Sequence, residues 1–487
     1  MFILIHINYL MKNPIPFAIC TSAVLVSLAS GFKKEPSPNI VYILADDLGY
    51  GDLSCYGQSK FATPNIDKLA SQGMLFTQHY TGCAVCSPSR SCLMTGLHTG
   101  HTPIRGNKAV KPEGQWPLPA VSYTIAEMLK AKGYTTGAFG KWGLGFIDTE
   151  GDPLNQGFDE FYGYNCQTLA HNYYPDHLWH NREKILLHEN DSGKTGSYSA
   201  DLIHKAALSF LEKNKNKPFF LFYPTTIPHA ELLAKEKYLK IFRGKFDPEK
   251  SYNGVDNGPT FRLGPYGSQL EVHATYAAMV TELDDYVGDL LNKLRELGLE
   301  DNTIVIFASD NGPHQEGGAD PDFFNSNGPL RGYKRDLYEG GIRTPMLVKW
   351  PGKVMAGSKS DHISAFWDIM PTFAEIAGAT NPEGLDGISF LPELLEKKQS
   401  QHEYLYWEFH EQDGKMAVRK GNWKAVKLNI DKTPQGETEL YDLSKDLYET
   451  NNVATANPLI VRQLEFIMIQ AHIPSVVFPF ASETVLK

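Results

Sequence analysis

The sequence predicts an α/β fold, with a large, mostly parallel sheet flanked by helices and a smaller C-terminal domain of antiparallel strands plus a helix. Apolar, β-rich segments alternate with amphipathic helices along most of the chain, as in parallel sheets covered on both faces. Near residue 385 this alternation gives way to short strands joined by polar turns. We therefore predict two domains, over residues 37–385 and 386–487.

The individual elements follow from local signals. The first strand, at 39–47, is an apolar run that ends in two carboxylates. The next helix begins at Thr63 and Pro64, because threonine caps a helix well and proline fits its first position. The later elements are helix 124–133, strand 134–140, helix 199–214, strand 217–224, helix 270–298, strand 302–312 and strand 344–352. In the C-terminal domain we predict strands within 403–409, 415–429 and 437–443, and a helix at 458–472.

Composition and the N-terminus restrict the function classes. A formal net charge of -10 argues against nonspecific nucleic-acid binding, which needs a basic surface. Residues 1–31 have the features of a signal peptide, with a basic segment before an apolar run that ends in small residues. We expect an exported protein, periplasmic or extracellular, without a stable membrane span. Its five remaining cysteines leave at least one thiol without an intramolecular partner.

Two predicted strands end in oxygen-bearing side chains. Asp46 and Asp47 follow the first strand, and Asp310 and Asn311 follow the strand at 302–312. Ligands of open α/β sheets collect beyond the carboxyl ends of the strands, so these side chains are expected to lie together. Each pair alone is more typical of a turn or a helix cap. Two pairs on one sheet favour a hard-cation site for Ca²⁺ or Mg²⁺.

The pentapeptide CSPSR, at residues 86–90, raises the question of what Cys86 does. Cys83 and Cys86 have CxxC spacing, but no second pair completes a zinc site, and a buried structural cysteine is the ordinary alternative. The serine and proline after Cys86 predict that a helix begins there. A side chain at that position faces free backbone N–H groups, which favour anions, and Arg90 adds a fixed cation one turn later.

The same stretch matches the sulfatase signature C-x-P-S-R followed by TG. The chain also resembles sulfatases at NIVYILADDLGYGD, GKWGLG, PFFLFYPTTIPH, IFASDNGPH, LRGYKRDLYEGGIRTP and WKAVKL…ELYDL, in the family's order. The resemblance covers essentially the whole chain after the signal peptide. It implies an alkaline-phosphatase-like fold and the hydrolysis of sulfate esters.

The resemblance also implies a role for Cys86. In sulfatases a maturation enzyme, the formylglycine-generating enzyme, oxidises this cysteine to formylglycine (3-oxoalanine), which hydrates to a gem-diol. One hydroxyl attacks sulfur, and deprotonation of the other then expels sulfate, so turnover needs the modification. The divalent ion, calcium by family preference, is implied on Asp46, Asp47, Asp310 and Asn311, next to the modified Cys86.

Further roles are implied for the positively charged and titratable residues. Arg90 is expected to hold the formylglycine hydroxyl, Lys141 and Lys334 to bind sulfate, and His229 to protonate the leaving alcohol. The chain departs from the family at Gly143, where many sulfatases carry a histidine that helps to deprotonate the sulfated intermediate. We consider His314 the first candidate to replace it, and His171 the second.

The substrate is expected to be a sulfated glycan or oligosaccharide. The segment 164–181 is rich in His, Asn and Tyr, which suits hydrogen bonding and stacking with sugars, although a polar surface loop is an equally good interpretation. Its candidate contacts are His171, Asn172 and His177. A second group, Trp407, Glu408 and His410, is expected to close one wall of the pocket. Our first expectation is exo-acting removal of 4-O-sulfate from galactose or N-acetylgalactosamine.

Three other functions remain open at this stage. They are an arylsulfatase of different specificity, a formylglycine-dependent phosphonate or phosphodiester hydrolase, and a noncatalytic, calcium-dependent glycan-binding protein in which Cys86 stays a thiol. Hydrolases with two metals need additional His and Asp ligands, which the sequence does not offer in the expected arrangement.

Overall fold

A computed structural model of the chain describes residues 37–484. The predicted signal peptide lies outside the described residues. These residues belong to one compact unit, so the predicted boundary between residues 385 and 386 stays a prediction. Within residues 37–484, no helix combines the length and the apolar character that a membrane crossing requires.

The secondary structure confirms the α/β class. The strands are Asn39–Ala45 (β1), Met74–Phe76 (β2), His79–Tyr80 (β3), Ala109–Val110 (β4), Gly114–Gln115 (β5), Thr135–Lys141 (β6), Glu160–Tyr164 (β7), His177–His180 (β8), Glu183–Leu186 (β9), Phe219–Pro224 (β10), Thr303–Ser309 (β11), Met346–Lys349 (β12), Ser358–Ser360 (β13), Ser364–Ala365 (β14), Leu405–Phe409 (β15), Lys415–Lys420 (β16), Trp423–Leu428 (β17) and Thr438–Asp442 (β18). The α-helices are Pro64–Ser71 (α1), Cys86–Thr95 (α2), Ile125–Ala131 (α3), Ser199–Asn214 (α4), Glu236–Phe242 (α5), Val272–Glu296 (α6), Pro321–Phe324 (α7), Glu339–Ile342 (α8), Ile369–Ala377 (α9), Leu391–Leu394 (α10), Pro458–Ala471 (α11) and Ala481–Thr484 (α12).

Ten strands form the main sheet, in the order β13-β2-β12-β11-β1-β10-β6-β7-β8-β9. The central strands β11, β1, β10, β6 and β7 run parallel to one another. β12, predicted as part of the same series, pairs antiparallel with β11. The sheet is therefore mixed, and its central part is parallel.

The two faces of the sheet are both buried, as its sequence pattern predicts. Along β1, Val41 and Ile43 belong to one apolar core, whereas Ile40 and Tyr42 belong to a second core on the opposite face. Alternate side chains of a strand point to opposite faces, so a strand that is apolar throughout needs cover on both sides. The two apolar cores hold the strands in place, and with them the strand ends that carry the polar residues.

The C-terminal part contains an antiparallel sheet in the order β15-β16-β17-β18. Helix α11 packs on it through Leu464, Ile467 and Met468, next to Tyr406 and Val418 of the sheet. The strands predicted at 403–409 and 415–429 and the helix predicted at 458–472 are confirmed within a few residues. The predicted segment at 415–429 divides into β16 and β17, joined by a tight turn at 421–422.

Candidate active site

The site lies where four neighbouring parallel strands end. Ala45, the last residue of β1, is paired with Ser309, the last residue of β11, so Asp46 and Asp310 emerge side by side. On the other side of β1, strand β10 leads to His229, and β6 ends at Lys141. The order of strands thus brings four separate parts of the sequence to one edge, as the rule for open α/β sheets predicts.

Helix α2 supplies the fifth part of the site. It begins at Cys86, as the sequence predicted, and every residue of it is buried. The Cys86 Sγ atom lies 3.6 Å from Asp46 Oδ1 and 3.5 Å from Lys141 Nζ. Burial raises the pKa of the Cys86 thiol well above its usual value, although Lys141 and Lys334 oppose this shift. An unmodified Cys86 is therefore a neutral thiol and a poor nucleophile.

Three buried carboxylates face this thiol. Arg90 Nη2 lies 2.8 Å from Asp310 Oδ2 and 3.5 Å from Asp46 Oδ1, and its guanidinium also donates to the Lys141 carbonyl. Lys141 Nζ is 2.8 Å from Asp46 Oδ2. Burial and the charge of Asp46 raise the pKa of Asp310 to about 6 despite the Arg90 contact. Burial also acts to raise the pKa of Asp47, but the charges of Lys334 and His229 hold it well below its usual range.

The oxygen set fits a hard divalent cation. One oxygen of Asp46, one of Asp310 and the Cys86 Sγ atom lie within 4.8 Å of one another. Asn311 donates from Nδ2 to Asp47 Oδ1 at 2.7 Å, while its Oδ1 atom is buried without a hydrogen-bond partner in the described chain. A buried, unpaired amide oxygen beside three carboxylates is what an oxygen-coordinated cation requires.

Lys334 and His229 form a second polar group beside Asp47. Lys334 Nζ lies 2.7 Å from Asp47 Oδ2, 2.8 Å from Glu316 Oε2 and 3.0 Å from His229 Nε2. His229 Nδ1 contacts the Ala230 carbonyl at 2.5 Å, so Nδ1 carries the proton and Nε2 faces Lys334. Burial and the Lys334 charge hold the pKa of His229 well below its usual range.

Gly143 occupies the position of the family histidine, and Gln167 fills the space beside it. A Cβ atom added at Gly143 would lie 2.0 Å from Gln167 Nε2. Of the proposed replacements, His314 is held by the backbone: its Nε2 faces the Pro228 carbonyl at 3.3 Å and its Nδ1 accepts from the Glu316 N–H at 3.2 Å. His171 lines the pocket and stacks on His229 with ring centroids 5.0 Å apart.

The pocket above Cys86 has a volume of about 210 Å³. Besides predicted residues, its walls contain side chains that sequence analysis missed: Asn107, Gln115, Gln167, Thr168, Tyr266, Glu316 and Arg335. Two of its wall residues, Ala109 and Thr168, also line a neighbouring cavity of about 360 Å³. Glu316 had a usable signal, since it closely follows Asp310 and Asn311, whereas the amides and Tyr266 belong to no motif.

Four predicted substrate contacts lie elsewhere. Asn172 is fully buried and bonds the backbone of residues 264–265. Trp407 is fully buried and donates to the Thr81 carbonyl, and His410 is bonded to Glu408 and stacked on Phe480. The expectation that Trp407, Glu408 and His410 wall the pocket is corrected, because β15 is covered on both faces. His177 lines the neighbouring cavity instead.

Comparisons with known proteins identify the family of this chain. Residues 38–379 match the sulfatase family model, and residues 332–470 match the model of the N-sulphoglucosamine sulphohydrolase C-terminal region. Human arylsulfatase A is 33% identical, covering 91% of this chain and 89% of the relative. The N-acetylgalactosamine-6-O-sulfatase of Bacteroides thetaiotaomicron is 30% identical, covering 89% and 92%. The crystal structure of Ps i-CgsB superposes with a TM-score of 0.74 at 30% identity, covering 89% and 92%.

Fold and site together define a sulfuric ester hydrolase of alkaline-phosphatase-like architecture. The chain belongs to the sulfatase family, which confirms the resemblance seen in its sequence. Family membership implies a formylglycine and a divalent metal.

Proposed function

We propose that this sulfatase removes sulfate from a sulfated carbohydrate, through Cys86 converted to formylglycine and a bound Ca²⁺ ion. The observation that carries the proposal is the position of Cys86, at a helix start between the buried acids and Lys141, at the base of a pocket. The pocket walls offer amides, two histidines and a tyrosine, which suit sugar hydroxyls.

The nucleophile is the modified side chain of residue 86. Its hydrated aldehyde supplies one hydroxyl that attacks sulfur and a second whose deprotonation permits release of sulfate. The start of α2 favours negative charge at this position, because its first N–H groups have no intrahelical acceptor. Asn107 Oδ1 accepts from the Ser87 N–H at 3.1 Å and so fixes the backbone next to the nucleophile.

The cation would be held by Asp46, Asp47, Asp310 and Asn311. When bound, it polarises a sulfate oxygen and neutralises charge that develops during the reaction. Carboxylate and amide oxygens accept either Ca²⁺ or Mg²⁺, and we propose Ca²⁺ because the resemblance to sulfatases favours it. Arg90 orients Asp310 and Asp46 in this arrangement.

Lys141 and Lys334 supply the charge that binds sulfate. Each is paired with a buried carboxylate and also lines the pocket, so both ammonium groups lie next to the space that a sulfate would occupy. His229 would carry the proton for the leaving alcohol at Nε2, since Nδ1 is engaged by the Ala230 carbonyl. A bound sulfate favours the protonated ring and counteracts the depressed pKa.

The cavity beside the pocket supports a substrate larger than an aryl sulfate. It contains Glu113 and His177, whose carboxylate and ring nitrogen lie 2.8 Å apart. We propose a sulfated galactose or N-acetylgalactosamine residue. The sequence-based expectation is sulfate at O4, whereas the similar Bacteroides protein is named a 6-O-sulfatase.

Desulfation of matched isomers tests this proposal. The natively matured protein should hydrolyse N-acetylgalactosamine 4-sulfate or 6-sulfate with a higher kcat/KM than 4-nitrophenyl sulfate. Selectivity between the two isomers fixes the sulfate position. Equal or faster hydrolysis of matched phosphate esters would favour the phosphonate or phosphodiester alternative, and no hydrolysis with tight glycan binding would favour the binding protein.

Export and maturation complete the proposal. The signal peptide predicted at residues 1–31 would direct the chain to the periplasm or the exterior, and a formylglycine-generating enzyme would be its partner before folding. Both are tested on the secreted protein. Its N-terminal sequence should begin near residue 32, and the peptide containing residue 86 should weigh about 18 Da less than the cysteine form.

A further inference from the structure

The Gly143 and Gln167 pair departs from ordinary packing in one respect. Gly143 has φ +77°, and a Cβ atom there would collide with the Gln167 amide. The Gln167 side chain therefore occupies the space that a side chain at position 143 would need. This side chain lines the same pocket as Cys86, Lys141 and His171.

The orientation of the Gln167 amide follows from its neighbours. Gln167 Nε2 lies 2.9 Å from Ser87 Oγ, and Ser87 Oγ lies 3.0 Å from the Gly143 carbonyl oxygen. A hydroxyl has one proton, and the carbonyl can only accept it, so Ser87 accepts from Gln167. The amide nitrogen therefore points to Ser87, and the Oε1 atom points away from it.

That Oε1 atom has no hydrogen-bond partner among residues 37–484. Gln167 is only 7% exposed, so bulk water does not replace the missing donor. Buried side-chain oxygens are almost always paired, so an unpaired one in a pocket wall has the capacity to accept from a ligand that enters the pocket. The other side of the same amide is fixed by Ser87, so the oxygen is held ready.

We propose that Gln167 is a specificity-determining residue whose Oε1 accepts a hydrogen bond from a hydroxyl of the sulfated sugar. The inference rests on the proposed carbohydrate substrate and deepens it: the pocket selects polyhydroxylated sulfate esters over aryl sulfates at this atom. Gly143 has a matching role, because any side chain there displaces the amide.

Gln167→Met tests the inference, since methionine has nearly the same length and neither accepts nor donates strongly. For the sugar sulfate that the wild type prefers, kcat/KM should fall about 10- to 100-fold, as expected when a buried acceptor is removed. For 4-nitrophenyl sulfate it should change less than about threefold. Gln435→Met, at an exposed position, is the control variant and should change neither value.

Deoxy-sugar sulfates identify the contacted hydroxyl. The wild-type enzyme should hydrolyse the analogue that lacks this hydroxyl more slowly than the parent sugar sulfate. The Gln167→Met variant should hydrolyse the two at the same rate. Gly143→Ala should reproduce the selective loss, and adding it to Gln167→Met should have little further effect. Thermal unfolding of each variant confirms that it is folded.

The outcomes separate this inference from the proposed function. Equal losses on sugar and aryl sulfates would make Gln167 a positioning residue acting through Ser87 and would overturn the inference, while the proposed function stands. A wild-type enzyme that hydrolyses aryl sulfates and no sugar sulfate would overturn both. No deoxy analogue with the expected pattern would also reject the hydrogen bond.

Discussion

Two buried carboxylates, each within its own polar cluster, have opposite pKa shifts. At the candidate active site, burial and Asp46 raise the pKa of Asp310 to about 6. Under the C-terminal sheet, Glu408 is equally buried, yet its pKa is lowered to about 2 because hydrogen bonds from His410 and His472 and the charge of Arg105 outweigh burial. Both clusters contain cations, so the presence of positive charge alone does not explain the difference.

The difference lies in how completely the side-chain oxygens of each cluster are paired with hydrogen-bond donors. Glu408 receives a donor pair at each oxygen: Tyr406 and His472 at Oε1, and His410 and Arg105 at Oε2. At the active site, acids repel one another and Asn311 Oδ1 stays unpaired. Removing a partner from a fully paired cluster destabilises the fold, whereas an incompletely paired cluster has room for a ligand.

The largest effect is expected at the nucleophile. Cys86→Ala should lower kcat by at least about 10⁴-fold, because it removes the atom that carries the reacting hydroxyl. The far-ultraviolet circular dichroism and the unfolding midpoint should stay close to wild type. Cys55→Ala, at a half-buried position away from the site, is the control and should keep full activity. Retained activity in Cys86→Ala would reject the assigned nucleophile.

Cation binding is expected at the active-site cluster and not at the Glu408 cluster, and this difference can be tested directly. Chelation should abolish activity, and Ca²⁺ should restore it and raise the unfolding temperature, since a ligand that binds the native state stabilises it. Asp47→Asn should lose this Ca²⁺-dependent stabilisation and about 100-fold or more of kcat/KM. Asp413→Asn, at the surface beside Lys432, should retain both. Full activity after exhaustive chelation would contradict the proposed site.

Glu408→Gln should affect stability and spare catalysis. Removing one partner of a buried ion pair costs about 3–5 kcal/mol, measurable by urea unfolding, while kcat/KM should stay within about twofold. The depressed pKa of Glu408 stabilises the fold above its usual pKa of 4.5, and this contribution is lost as the pH falls toward about 2. The variant should therefore show a weaker acid dependence. Glu403→Gln, an exposed control, should change stability by less than about 0.5 kcal/mol.

The smallest change in stability is expected for a substitution of His472. Burial lowers its pKa, but hydrogen bonds and charges from Glu408 and Glu483 outweigh burial and raise it. Its stabilising effect is complete below the usual histidine pKa of 6.5 and is lost as the pH rises through the raised value. His472→Gln should cost about 1 kcal/mol at pH 6 and less at pH 9. An equal cost at both values would show that the histidine charge contributes nothing.

The sequence predicted the proximity of the proposed metal ligands better than it predicted the residues of the proposed sugar-binding wall. Asp46 and Asp310 end apolar strands, and parallel strands place their ends at one edge, so their proximity follows from local pattern alone. Gln167 gave no such signal, because a lone glutamine in a polar loop belongs to no motif. Gly143 marked the departure correctly, but the side chain filling its space was not one of the histidines considered.

The C-terminal residues show a different limit of sequence analysis. Trp407 and His410 have the chemistry of a sugar-binding wall, and only the packing of β15 shows that both of its faces are covered. An aromatic residue next to an acid is equally compatible with a core and a pocket. Tertiary contacts decide between them, such as those of Arg105 with Glu408 in β15 and with the Ile473 carbonyl just after α11.

The burial of Cys86 determines the order in which its modification and the folding of the chain can occur. Only 2% of this residue is exposed, and it lies at the start of a helix that is buried along its whole length. Another enzyme cannot draw such a side chain into its own active site while the chain is native, so enzymatic oxidation of Cys86 must precede folding. Molecules that fold with Cys86 unmodified would have to be unfolded before the maturation enzyme could convert this residue.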